Sequence, residues 1–455
     1  MGDIMRDMTE GPIAGHLMGM AAFIAVSIVV QTLYYLVDLY FVAQLGPAAI
    51  AGVSAAGTVF FLALAVAQII GVGGVALLAQ AAGRKDSGDA QTTFDQVMSM
   101  ALALAALTLV LGYGFADRAI GLVTADAETA AQARSYLHAY LPSLALIFPA
   151  TALGAALRAA GVVRAPTMIQ MGSVLVNALF APPLITGWGT GLPLGVAGAG
   201  LASSIAGAFG CIAMAAAFAR VQKFVHLHPR RWAPNFPAWG RITAVGLPSA
   251  GEFLIMFIVG AMMYWAIRPF GAEAQAGYGV GARVMQAILL PAMAIAFAAA
   301  PIAGQNFGAG KLDRVRETFR TAALYGSSVM VALTLFCQIR PEALVRPFAE
   351  DARTLATAAE FMRVLSWNFV ATGLVFTCSS IFQGLGDTRP SFIASVVRLA
   401  SFLGPALWLS QQPHTQLHDY WRVSVVCVLL QCAVCLAFLA RMLRRKLGQA
   451  ATASA

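Results

Sequence analysis

Two carboxylates stand inside apolar sequence. Asp38 lies in "YYLVDLYFVAQLG" with no basic residue within a turn, and Glu252 lies in "GLPSAGEFLIMF". A charged side chain at a membrane-helix centre costs on the order of 2.5–3.5 kcal/mol, so such a group faces a bundle interior or a wet cavity. Desolvation disfavours the ionised form unless a cation or donor compensates it. The chemistry available is therefore reversible binding of a proton or a small cation. Asp38 sits two turns before Gly46, about 10 Å from the end of its helix. Glu252 lies one turn beyond Pro248 and leaves three roles open: a second protonation site, a substrate-facing acid, or a partner for Arg398 or Arg283.

The elements that carry these acids are membrane helices. Of 455 residues 59% are hydrophobic and 11% charged, against about 25% charged in a soluble domain. Apolar blocks long enough to cross ~30 Å of hydrocarbon recur at 16–43, 50–78, 94–115, 130–157, 167–187, 195–219, 242–267, 277–300, 318–338, 358–383, 391–410 and 420–442. They lack the alternation of barrel strands, so the expected fold is an all-α integral membrane protein with twelve transmembrane helices. No cleavable signal peptide is evident in "MGDIMRDMTEG".

The net charge of +9 is arranged by side. Nineteen Lys and Arg fall on even-numbered connections and the termini, eight on the other side. The positive-inside rule then predicts cytoplasmic termini in a cell membrane, with the bilayer and not nucleic acid as partner. All six cysteines lie in apolar helices, where packing and neither a disulfide nor a metal site is expected. "GYGVGA" has no preceding strand and no Gly-Lys-Ser/Thr, so no nucleotide site is expected. No paired catalytic acids, nucleophile motif or His-rich metal set points to an enzyme.

The halves repeat at an offset of 225 residues. Gly46 falls on Gly271, Gln80 on Gln305, Phe94 on Phe319, Gly161 on Gly386 and Arg164 on Arg389. Six spans per copy return the chain to its starting side. The copies should therefore form two pseudo-symmetric six-helix lobes about an axis along the membrane normal. The expected division is an N-lobe at 1–220, a cytoplasmic linker at 221–240, a C-lobe at 241–445 and a tail at 446–455. Such a plan suits alternating access. Under the same offset Asp38 meets Met263, so only the first copy carries that acid.

"VDLYFVAQLGPAAIAGV", "LLAQAAGRKD", "GLPSAGE", "PIAGQNFGAGKLDR" and "FQGLGDTRPS" resemble signatures of the multidrug and toxic compound extrusion transporters, known as MATE. The resemblance covers residues ~12 to ~445. It implies a V-shaped bundle of two lobes and a cation-driven antiporter that exports amphipathic, often cationic, organic compounds. It also implies that the first-helix acid shares a polar cluster with a fifth-helix Asn-x-x-x-Asp-Pro motif and a sixth-helix hydroxyl. Here the motif reads "NALFAPP": Asn177 and Pro182 match, Ala181 replaces the second acid, and Ser203 best matches the hydroxyl. The cation-coupling set is thus Asp38, Asn177 and Ser203. Losing one carboxylate removes an oxygen ligand and a negative charge, so H+ coupling is expected ahead of Na+, which remains open at Asp38 and Asn177. No cofactor beyond the coupling ion is expected, and a monomer is.

Tyr34, Tyr35, Phe60, Met256, Tyr278 and Met285 are candidate lining for a substrate cavity, since aromatic and Met surfaces accommodate varied apolar cations. The alternative function is a flippase for lipid-linked precursors, of the wider transporter superfamily. It would want a cationic cavity, and Arg283 and Arg398 are the basic residues near or inside spans.

Overall fold

A computed structural model describes residues 7–123, 126–189, 191, 193–221, 225–348 and 351–453. The side chains of 35–39, 55, 58, 119, 122–123 and 447–453 lie outside that description. The described residues form helices and no strand. In chain order they are α1 (Ile13–Ala43), α2 (Pro47–Gly83), α3 (Ser87–Val123), α4 (Ala127–Ala159), α5 (Arg164–Thr186), α6 (Val196–Val221), α7 (Phe236–Ile267), α8 (Ala272–Gly308), α9 (Leu312–Ile339), α10 (Pro341–Val345), α11 (Ala352–Leu365), α12 (Phe369–Gly384), α13 (Arg389–Leu409) and α14 (Leu417–Ala453). A 3-10 turn joins α11 to α12, and that pair makes one crossing, so twelve segments are long and apolar enough to span a bilayer. In hydrocarbon every backbone polar group needs an internal partner, which helices supply within themselves.

Several helices outrun the apolar stretches that announce them. The segment expected over 50–78 is part of Pro47–Gly83, and that over 94–115 is part of Ser87–Val123. Their polar ends carry the helix past the hydrocarbon. Likewise α7 starts at Phe236 and α14 continues to Ala453, so part of the expected linker and tail is helical.

The repeat is visible in the caps. Asp126 and Asp351 precede α4 and α11, and each accepts a hydrogen bond from a backbone N–H, of Thr129 and Thr354, at 2.7 Å. That bond stabilises the ionised carboxyl, and both acids are held below the usual carboxylate range by it. Gly46 and Gly271, before α2 and α8, take φ of 104° and 91°, which favours glycine. Lys85 holds a left-handed φ of 57° where the second copy places Gly310 at 73°.

The chain divides into two compact units. One gathers Val26–Gly246, the other Met8–Ala25 with Leu247–Ala455, so the boundaries fall inside α1 and α7. Side-chain amides explain both assignments. In the second unit Met8 N–H donates to Gln305 Oε1 at 2.9 Å, and Asn306 Nδ2 donates to Met8 O at 3.0 Å. Lys311 Nζ and Arg314 Nη2 donate to the carbonyls of Thr9 and Gly11 at 3.0 and 2.9 Å. In the first unit Gln91 exchanges two 2.8 Å bonds with the backbone of His226. Gln96 Nε2 donates to Ala233 O at 3.0 Å and its Oε1 accepts from Asn235 N–H at 2.8 Å. Ser99 Oγ donates to Trp232 O at 2.7 Å. Met8 and Ala233 are themselves one repeat apart.

Candidate functional site

In the first unit α5 packs on α6 and α6 on α4. Close approach is possible because one face of α6 is small: Gly198, Ala199, Gly200, Ala202, Ser203 and Ala206 are all buried. A Cβ at Gly200 would stand 2.6 Å from Tyr136 O. The tight seam leaves Asn177 of α5 with no exposure and Ser203 of α6 at 1%.

Asn177 Nδ2 donates to Ser203 Oγ at 3.2 Å and to Tyr34 Oη of α1 at 3.3 Å. Its Oδ1 is buried without a hydrogen-bond partner. One end of the amide thus serves two hydroxyls while the other serves none among the described residues. A buried polar atom left unpaired costs about 1–3 kcal/mol, which is an arrangement suited to accepting something from outside the described set. Amide, hydroxyl and phenol supply neutral oxygens that can bond a protonated acid or approach a cation. One turn on, Ala181 is fully buried, so the place of the second acid holds a methyl group packed in protein.

Of the predicted coupling set, Asn177 and Ser203 are brought together. The Asp38 side chain, like that of Tyr35, lies outside the described residues, and its backbone belongs to α1. Tyr34, expected as cavity lining, belongs by its hydroxyl to the Asn177 cluster. The signal available for this was its spacing of four residues from Asp38, the spacing of one helix face.

In the second unit the equivalent places are apolar. The 225-residue offset carries Asp38 and Asn177 to Met263 and Phe402, 3% and 1% exposed. The polar spot of that unit lies elsewhere. Ser379 Oγ of α12 donates to Glu252 Oε1 of α7 at 2.7 Å, and neither Arg398 nor Arg283 forms an ion pair with Glu252 among the described residues. Of the three roles left open for Glu252, the ion pair with an arginine is not formed among the described residues, and a hydroxyl is its partner. At the same repeat position the first unit has Ser27, whose Oγ lies 3.0 Å from Thr167 Oγ1.

The remaining cavity candidates scatter. Phe60 is half-buried, packed on the first unit's core with its ring 6.4 Å from Tyr140. Met256 is 43% exposed. Met285 packs against the second unit's core. Tyr278 is embedded in an aromatic cluster, stacked on Trp421 at 5.7 Å and edge-on to Tyr264 and Phe361 at 4.7 and 5.3 Å. No group of three or more His, Cys, Asp or Glu among the described residues is placed to hold a metal.

The MatE family model matches residues 24–182 and again 248–406, one match in each half of the chain. The multidrug export protein MepA of Staphylococcus haemolyticus is 21% identical over 369 residues, 81% of this chain and 80% of that protein. MepA of Staphylococcus aureus strain MSSA476 is 21% identical over 401 residues, 88% of each. A crystal structure of MATE in the bent conformation superposes with a TM-score of 0.90 at 20% identity, covering 98% of both chains. A MOP superfamily transporter from Pyrococcus furiosus gives 0.88 at 21%, over 97% of this chain and 98% of that one. At these identities the structures carry the fold, and the doubled family match carries the kinship. This twelve-helix, two-lobed, multi-pass membrane protein belongs to the MatE family, the multidrug and toxic compound extrusion transporters.

Proposed function

We propose that the chain is an antiporter that couples inward H+ flow, rather than Na+, to export of amphipathic organic compounds by alternating access, with both termini in the cytoplasm. The observation that carries the coupling reading is the fully buried Asn177 amide, tied at one end to Tyr34 and Ser203 and unpartnered at the other. It sits at the position where the family motif expects a cluster around the first-helix acid, Asp38. Ala181 favours the proton: a single carboxylate suffices to carry H+, whereas a Na+ cage loses both an oxygen ligand and a charge. Protonation must stabilise one conformation over the other, because a ligand moves an equilibrium only by its differential affinity.

Export is expected to follow an imposed pH gradient in proteoliposomes and to be indifferent to an imposed Na+ gradient. Asp38→Asn should insert and fold but lose gradient-driven export. Na+-driven export at neutral, clamped pH would overturn the proton assignment, and full export by Asp38→Asn would remove Asp38 from the mechanism.

A further inference from the structure

Several acids of the second unit have partners close by. Arg353 pairs with Glu273 at 3.1 Å, Arg363 with Glu342 at 3.5 Å, and Asp419 stands 3.9 Å from Arg422. Asp351 caps α11, and Glu252 is occupied by Ser379. Arg283 of α8 and Arg398 of α13 have neither an ion pair nor a side-chain hydrogen bond among the described residues. Both stand inside spans. Arg283 lies twelve residues from Gly271 and Arg398 eleven from Leu409, about 18 and 17 Å along their helices. In ~30 Å of hydrocarbon that is close to mid-depth.

Arg283 is exposed and Arg398 half-buried, within electrostatic reach of Tyr278 and Cys427. A guanidinium carries five N–H donors and accepts nothing. At mid-depth it faces a partner or a water-filled cavity and not lipid tails. No described acid forms an ion pair with either arginine. Tyr264, 42% exposed and edge-on to Tyr278, offers aromatic surface alongside. The unit therefore presents unneutralised positive charge next to aromatic rings.

We propose that Arg398 is an anion-binding site, and that the exported compounds include aromatic amphiphiles bearing a carboxylate, sulfonate or phosphate. The proposal rests on the transporter reading and gives its substrate a charge: the anionic group bonds the guanidinium while the apolar body lies against the tyrosines. A phospholipid headgroup offers the same chemistry, and the occupant assigned here is the soluble amphiphile.

The test is equilibrium binding to the purified full chain in micelles, with 1-naphthaleneacetate and its uncharged isostere 1-naphthaleneacetamide as probes. No ion gradient is present, so the result is independent of whether H+ drives export. The acid should bind about 10- to 100-fold more tightly than the amide. Arg398→Gln should abolish that preference, and Arg398→Lys should keep part of it. Arg398→Lys, which retains the charge, keeps the test decisive if Arg398→Gln fails to fold. Equal binding of the two probes, tighter binding of the amide, or an undiminished preference in a folded Arg398→Gln protein would overturn the proposal. Loss of acid binding on adding phosphatidylglycerol, but not phosphatidylcholine, would overturn the soluble occupant in favour of a lipid headgroup.

Discussion

Replacing Asn177 with alanine separates the structural from the functional share of the first unit's polar cluster. The contacts to Ser203 and Tyr34, at 3.2 and 3.3 Å, are long for hydrogen bonds. At a net ~0.5–1.5 kcal/mol each, their loss costs about 1–3 kcal/mol of stability. The unpartnered end of the amide is a different matter. If it accepts from the coupling ion or from a protonated acid, it contributes about 1.5–3 kcal/mol to ion binding, so its removal raises the half-saturating ion concentration about 10- to 150-fold. For a proton that moves the pH profile of export about one to two units towards acid. The assay is initial export rate from proteoliposomes across a series of pH values, with thermal unfolding measured on the same preparations. Ser203→Ala is the control: it breaks one bond to the occupied end and leaves the free end in place, so its half-saturation should move less than about threefold. A melting temperature that falls while half-saturation stays at the wild-type value would refute the argument and leave Asn177 a packing residue.

Four further outcomes follow from named contacts. Asp126 and Asp351 are held below the ordinary carboxylate value of 3.8 by their capping bonds, so their contribution is complete above about pH 4 and is lost as pH falls through the lowered folded value. Asp→Asn at both positions keeps the cap and should flatten the acid limb of thermal stability below pH 4. Gly200→Ala puts a methyl 2.6 Å from Tyr136 O, a backbone atom that cannot swing aside, and should destabilise by about 1–3 kcal/mol, read as a lowered melting temperature in detergent. Arg314→Leu removes the donor to Gly11 O and to Asn306 Oδ1, and a protease site inserted ahead of Met8 should be cut faster than in the wild type. Glu252→Gln retains the acceptor for Ser379 Oγ and should accumulate at the wild-type level, whereas Glu252→Leu strands that hydroxyl and should accumulate less.

What could be read from the chain was set by physics that acts locally or periodically. Hydrocarbon thickness imposes block length, so the crossings were legible, while helix ends were not, because polar residues such as Ser87–Thr93 continue α3 beyond the apolar run. Duplication imposes a fixed offset, so the turns at Gly46 and Gly271 could be anticipated as a pair, and the caps that the structure shows at Asp126 and Asp351 keep the same offset. The approach of Asn177 to Ser203 came from the family motif and not from spacing, since these residues are 26 apart on different helices. The tie of Tyr34 to Asn177 was not legible, because an aromatic in an apolar helix reads as lining until its hydroxyl finds a partner. Glu252 had three roles open to it, and a serine of α12 satisfies one of its oxygens. Arg283 and Arg398 then form no ion pair among the described residues, and an unbalanced charge at mid-membrane depth is stable only where water or an anion reaches it. A pairing that sequence could not decide thus bears on the charge of the compound proposed for Arg398.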